Sequence, residues 1–248
     1  MMKSPLLVAI ASALGGAVLA VAIVFAVAAA GGLPGNEAQI RNYLMSHPQI
    51  LADMSNRLQE QQAASDDAAR QAAVQRLGPK PFFDPRFAFL MGPANAKTTF
   101  VEFFDYNCPY CRASLPAVRK FIANHQKNAR FAFIEFPIKG PESTIASRAA
   151  IAARKQPDKY LAFHMLLMGE RDLVDENTIY EDARKAGIDV NRLKADMRDP
   201  SVDSAIAAAH NLAAAAKIDG TPAFIIDGNV REGAIDDTLV QRMLKASS

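Results

Sequence analysis

Cysteine is nearly absent from this chain: Cys108 and Cys111 are the only two in 248 residues. A secreted scaffold stapled by disulfides uses cysteine far more densely. A bridge between residues so close together would also close a short loop, the kind that stabilises least. The pair therefore reads as working chemistry rather than as a staple. A Cys-x-x-Cys is also half of a zinc site, but there is no third cysteine. The histidines His47, His125, His164 and His210 are scattered without ligand spacing. No metal and no cofactor is expected. An excess of one charge sign is missing too: 28 Lys and Arg face 26 Asp and Glu, a net charge of +2, with no basic run. That balance excludes nucleic acid or an acidic polymer as the expected partner. What remains is ordinary globular composition, 50% hydrophobic, with room for one sizeable core and a small extra module.

The first thirty residues differ from the rest. Lys3 gives a short positive start, and Leu6 to Ala30 follows without any charge. Ala28-Ala29-Ala30 before Gly31 supplies the small residues of a cleavable signal peptide. The apolar run is also long enough to span a bilayer. Residues 1–30 are thus a signal peptide or, through residues 6–30, an inner-membrane anchor. Either reading places the remainder outside the cytoplasm.

Residues 36–77 read as helix after the break at Gly31–Gly35. Ile40, Tyr43 and Leu44 share one face, and Ile50, Leu51, Met54 and Leu58 another. His47-Pro48 separates the two stretches, with Ser46 a candidate cap. The apolar spacing decays into Ser, Ala and Gln, too short a pattern for a coiled coil. The segment either packs on its own domain or assembles the protein. Gly78-Pro79-Lys80-Pro81 is the expected linker to the main domain, 78–248. There the pattern predicts a strand over Thr98–Phe104, a helix over Pro109–His125 and a strand over Ala129–Phe136. Five helices follow between residues 143 and 216. Ala223–Asp227 and Asn229–Glu232 then form a hairpin turning at Asp227-Gly228, before a last helix from Asp236 to Lys245.

Cys108 lies where a strand gives way to a helix. Free N–H groups of a first helical turn, and the positive end of the dipole, favour its thiolate. A lowered pKa makes it both a ready nucleophile and a good leaving group. Cys111, one turn later, would resolve the mixed disulfide, and Pro109 suits the first turn. Glu102 sits among Phe100, Val101, Phe103 and Phe104. A strand covered on both sides reads as such an apolar run, so the carboxylate is expected to be buried with a raised pKa. It could then exchange a proton with Cys111; the alternative is a paired or edge-exposed glutamate. Thr221-Pro222 precedes the next strand and, taken alone, could be an ordinary trans boundary.

Val101-Glu102-Phe103-Phe104-Asp105-Tyr106-Asn107-Cys108-Pro109-Tyr110-Cys111, then Phe136-Pro137-Ile138, then Gly220-Thr221-Pro222-Ala223-Phe224 resemble the DsbA family of bacterial disulfide oxidoreductases. The match runs from about Pro81 to the C-terminus, with all three motifs in the family's order. The resemblance implies an α/β thioredoxin fold with an inserted helical domain, here about 143–216, preceded by the N-terminal helical segment. It implies that Pro222 is cis beside the cysteine pair, with Thr221, Pro222, Pro109 and Tyr110 contacting substrate. Residues 36–77, through Ile40-Arg41-Asn42-Tyr43-Leu44 and His47-Pro48-Gln49-Ile50-Leu51, are similar to the N-terminal segment of suppressor-of-copper-sensitivity (ScsC-type) proteins. That similarity implies assembly into a homotrimer through 36–77. Strongly oxidising members carry His where this chain has Tyr110, which removes one source of oxidising power.

The expected function is therefore periplasmic thiol-disulfide exchange on protein substrates, as isomerase, reductase or oxidase, with a membrane redox partner restoring the working state. Two alternatives stand beside it. One is a glutaredoxin-like reductase, since Cys-Pro-Tyr-Cys also occurs there. The other is a copper(I)-binding module of a copper-tolerance system, in which two thiolates grip the soft ion.

Overall fold

A computed structural model describes residues 36–246, so the signal or anchor reading of residues 1–30 lies outside the described part. No described helix is long and apolar enough to cross a membrane. The chain divides into two units, Met1–Ala63 and Ala64–Ser248.

In the first unit, helix α1 (Asn36–Ser46) ends where His47-Pro48 interrupts the backbone ladder, and α2 (Gln49–Leu77) begins directly after. Ser46 does not cap α2. Its hydroxyl turns back to the α1 carbonyls of Asn42 and Tyr43, at 2.8 and 3.0 Å. Ile40, Tyr43, Leu44, Leu51, Met54 and Leu58 are all exposed and Ile50 is half-buried, so most of the apolar side chains predicted for this segment are exposed. The last turns of α2, from Ala64, belong to the second unit, where Ala73 and Val74 are buried. The boundary thus lies inside the helix, upstream of the expected linker at Gly78.

The second unit is built on a five-stranded sheet in the order β1-β3-β2-β4-β5. The strands are β1 (Ala88–Met91), β2 (Thr98–Phe104), β3 (Ala129–Glu135), β4 (Ala223–Ile226) and β5 (Asn229–Glu232). β2 and β3 run parallel and the other neighbours antiparallel. Strand β1 was not expected; its four residues alternate with no polar position that would mark a strand face. Between β2 and β3 lies α3 (Pro109–His125). After β3 come α4 (Pro141–Ala153), α5 (Pro157–Leu167), α6 (Glu176–Lys185), α7 (Val190–Asp196) and α8 (Pro200–Ala215), and α9 (Asp237–Lys245) closes the chain. This is a thioredoxin-type fold with a helical insertion.

Alternation along β2 divides the core. Phe100 and Phe104 point into one cluster with Phe131, Phe133 and Phe224, beneath α3, α9 and the inserted helices. Val101 and Phe103 point into the other, with Ala132, Ile134 and Ile225, beneath the end of α2 and α8. Both faces are covered, which is why the central strand reads as one continuous apolar run.

The β4–β5 turn is where sequence chemistry and backbone agree most closely. Asp227 and Gly228 both have positive φ, 48° and 82°, the arrangement of a type I′ hairpin. A Cβ on Gly228 would meet nothing within 4 Å, so a side chain there costs only the left-handed backbone. Gly228→Ala is expected to destabilise the protein by about 1 kcal/mol, read as a lower denaturant midpoint at unchanged slope. An unchanged midpoint would mean the turn has relaxed into another type.

Candidate active site

The chain leaves β2 at Phe104 through a tight turn. Asp105 is fully buried and its carboxylate organises the turn, accepting from Asn107 N–H at 2.8 Å, Ile138 N–H at 2.7 Å and Lys139 N–H at 2.9 Å. It therefore ties the Phe136-Pro137-Ile138 motif to the segment entering the cysteine pair. Cys108 is the N-cap of α3, with φ −85° and ψ 118°, and Pro109 occupies the first turn. Pro109 and Tyr110 are exposed, whereas both cysteines are buried. The Thr221–Pro222 bond is cis, and the Cys108 sulfur lies 3.1 Å from the Thr221 carbonyl, to which it donates when protonated. Two stretches more than a hundred residues apart thus meet at the sulfur.

The two sulfurs are electrostatically unlike. The Cys111 thiol, hydrogen-bonded toward the Cys108 thiolate, is the largest influence lowering the Cys108 pKa to about 5. Burial opposes it; the Thr221 side chain and the backbone N–H groups of Cys111 and Tyr110 assist. These are the free donors of a helix start. The Cys111 thiol moves the other way, raised by burial, then by its hydrogen bond to Cys108 and by the charge of Glu102. One sulfur is a thiolate at neutral pH and its neighbour holds its proton.

Glu102 is 2% exposed and its Oε2 has no hydrogen-bond partner among the described residues. In the sheet it stands opposite Phe133 on β3 and Phe224 on β4. Burial pushes its pKa up to about 8, so the alternative of a paired or edge-exposed glutamate is replaced by a buried one. The Thr221 carbonyl meets Cys108 at the start of α3, Glu102 lies within β2 where its charge reaches Cys111, and Pro109 and Tyr110 are exposed.

Three supports of this site were given no role by the sequence. Arg112, directly after Cys111, donates to the carbonyls of Arg171 and Asp172 at 3.0 and 2.8 Å and to that of Tyr106 at 3.2 Å. It pins the loop between α5 and α6 against the cysteine turn. Tyr106 is hydrogen-bonded through its hydroxyl to His164 Nδ1 at 3.0 Å, and burial holds His164 neutral, its pKa down to about 3. Asp105, described above, is the third.

Comparison with known proteins follows this geometry. Residues 99–245 match the family described as DSBA-like thioredoxin domain, and residues 37–65 match the copper resistance protein ScsC N-terminal domain. A thioredoxin-like oxidoreductase from Silicibacter pomeroyi DSS-3 is 36% identical, covering 68% of this chain and 97% of that one, with a TM-score of 0.63. A periplasmic thioredoxin-like protein from Salmonella enterica serovar Typhimurium is 28% identical, covering 67% and 93% of the two chains, with a TM-score of 0.60. Among curated proteins, the Na(+)/H(+) antiporter NhaA 3 of Salinispora tropica is 28% identical over 152 residues, 60% of this chain but 23% of that one. The chain spans roughly a quarter of the antiporter relatives it matches, 23%, 29% and 23% of their lengths. With its cysteine turn, cis-proline and helical insertion all inside the matched region, the chain belongs to the DSBA-like thioredoxin-domain family, with an N-terminal segment of the ScsC type.

Proposed function

We propose that the protein is a periplasmic thiol-disulfide oxidoreductase acting on protein disulfides, with Cys108 as nucleophile and Cys111 as resolving thiol. The observation that carries this reading is the geometry of the pair: Cys108 caps α3 with its sulfur 3.1 Å from the Thr221 carbonyl at the cis-Pro222 bond, and a buried Cys111 follows in the first turn. That arrangement lowers the Cys108 pKa and raises that of Cys111. In the reducing direction the Cys108 thiolate attacks a substrate disulfide, and one substrate sulfur leaves as thiolate. Cys111 then passes its proton to the Glu102 carboxylate and attacks the Cys108 sulfur, releasing the second substrate thiolate. The protein is left with a Cys108–Cys111 disulfide, and two electrons have moved to the substrate. Oxidation is the same path reversed, with Glu102 returning the proton to departing Cys111. The Thr221 backbone beside cis-Pro222 holds the substrate chain, and Pro109 and Tyr110 meet it at the rim. A membrane redox partner returns or removes the two electrons. The Salmonella relative's periplasmic description and the uncharged run Leu6–Ala30 support the compartment.

The exposed apolar residues of α1 and the first half of α2 support a homotrimer, in which several active sites share one substrate at high effective concentration. Such an assembly favours isomerisation, because a misplaced disulfide can be attacked again before release. Removing residues 36–63, and keeping the α2 turns that belong to the second unit, is expected to give a monomer with full dithiol chemistry on small disulfides. It should lose most of its rescue of a scrambled-disulfide protein. Light scattering and the refolding assay read both, and a full-length monomer at micromolar concentration would remove the assembly. Absence of insulin reduction by the intact dithiol protein would remove the oxidoreductase reading itself.

A further inference from the structure

The turn that delivers Thr221 to Cys108 has a support of its own, and it comes from α2. After α8 the chain reverses at Lys217, whose φ is 57°, and passes through Ile218, Asp219 and Gly220 to Thr221. Glu232, the last residue of β5, accepts through one oxygen from the N–H groups of Asp219 at 2.9 Å and Gly220 at 3.2 Å. Its other oxygen accepts from Arg70 Nη2 at 2.7 Å. The same guanidinium donates from Nε to the Lys217 carbonyl at 3.2 Å and from Nη1 to Asp67 at 2.6 Å. Both ends of the 217–220 turn are therefore held by one ion pair, and Arg70 is only 6% exposed. The strand that carries Glu232 is held as well: Gln71 donates to the Gly228 carbonyl at 2.8 Å and accepts from Val230 N–H at 3.0 Å.

A pair that served only to join α2 to the sheet could bond anywhere along β5. This one instead converges on the backbone immediately before Thr221, whose carbonyl lies 3.1 Å from the Cys108 sulfur. A planar guanidinium fixes several acceptors at once in a rigid fork, which a lysine cannot do. We propose that Arg70 and Glu232 are positioning residues for substrate capture: they hold the Lys217–Gly220 turn so that the Thr221 backbone meets an extended substrate chain beside Cys108. The inference rests on the oxidoreductase reading and adds the end of α2 to the substrate-holding machinery, through the turn rather than by touching substrate.

The test is steady-state exchange by the full chain with a disulfide-bonded peptide and with hydroxyethyl disulfide, which has no peptide backbone to pair with Thr221. Arg70→Ala is expected to raise KM for the peptide about tenfold, the loss of one charge-assisted hydrogen bond's worth of positioning. Its kcat should change much less, and the rate with hydroxyethyl disulfide should fall less than peptide kcat/KM. Arg70→Lys, which keeps the charge toward Glu232, should recover part of the loss. Glu232→Gln, which keeps an acceptor for the two amides, should fall between wild type and Arg70→Ala. Because the two residues act on one turn, the Arg70→Ala/Glu232→Ala double variant should be clearly less impaired than the two single effects multiplied. A folded Arg70→Ala protein with lowered thermal stability and unchanged peptide KM would overturn the proposal and leave a plain structural staple. Should Arg70→Ala fail to fold, unchanged peptide KM in both Arg70→Lys and Glu232→Gln overturns it equally. Wild-type protein inactive on both substrates would instead bring down the oxidoreductase reading beneath it.

Discussion

Serine in place of Cys108 is expected to abolish exchange, while alanine in place of Cys111 should leave a protein that attacks substrates and then stays joined to them as mixed disulfides. The difference follows from the site's asymmetry. Cys108 carries the thiolate because the Cys111 thiol, the Thr221 side chain and the α3 backbone N–H groups all stabilise its charge, against the cost of burial. Followed by thiolate absorbance, wild-type Cys108 should titrate near pH 5, far below the free-thiol value of about 8.5. The same shift fixes a stability trend for the dithiol form. The folded pKa is depressed, so the contribution is fully present above the unfolded thiol's pKa and is lost as pH falls through about 5. The disulfide form has no such titration. The stability of the dithiol form relative to the disulfide form should therefore rise from about pH 5 up to the free-thiol range, and turn down above it, because Cys111, raised by burial, stays protonated in the fold where the unfolded thiol ionises. A Cys108 midpoint close to 8.5, with no such rise, would remove the helix-start and thiol–thiolate account together.

How far the sequence carried depends on the range of each signal. The continuous apolar run of β2, the Asp-Gly of the β4–β5 turn, and a proline just after Cys108 are local, because strand burial, left-handed turn geometry and first-turn helix chemistry each involve neighbouring residues. Those elements, and a run of helices over 143–216, were readable from local pattern and turn chemistry, while their status as an insertion came from the family resemblance. Strand β1 was not, since Phe89 and Leu90 carry no alternation and the strand exists only because β3 offers an edge to pair with. The unit boundary inside α2 was equally hidden. Ala, Gln and Asp residues over 59–76 left packing on the domain and assembly both open, and only the fold reveals that Arg70 meets Glu232, far along the chain. The Cys108–Thr221 contact shows the intermediate case. Each half has a recognisable motif, yet their meeting is a property of the sheet order, in which β2 lies beside β4. Asp105 illustrates the remaining limit: it stands inside a recognisable motif, but its bonds to the Ile138 and Lys139 N–H groups exist only in the fold.

Glutamine in place of Glu102 should produce two effects of opposite sign, on speed and on stability. Glu102 is enclosed by Phe100, Phe104, Phe133 and Phe224 on its face of the sheet, and burial pushes its pKa to about 8 from a model-compound value of 4.5. A buried acid that gains and loses its proton near neutrality is matched to a thiol that must do the same. Removing it should slow the step in which Cys111 attacks or departs by about a hundredfold, the low end of what a positioned acid–base group contributes. The inflection near pH 8 in the rate profile should disappear with it. Attack by Cys108 on a first disulfide, which moves no proton at Cys111, should be nearly unaffected. Stability shifts the other way. The folded pKa lies above the unfolded one, so the wild type's contribution is fully present below about 4.5 and is lost as pH rises through about 8. The neutral amide pays no such penalty. In the disulfide form, where neither cysteine titrates, the variant should match wild type at about pH 4 and exceed it at about pH 9 by on the order of a few kcal/mol. Denaturant midpoints of the two oxidised proteins across that range measure the gap directly. A gap that stays constant with pH, together with unchanged resolution kinetics, would show a glutamate that is ionised throughout and serves only the packing beneath α3.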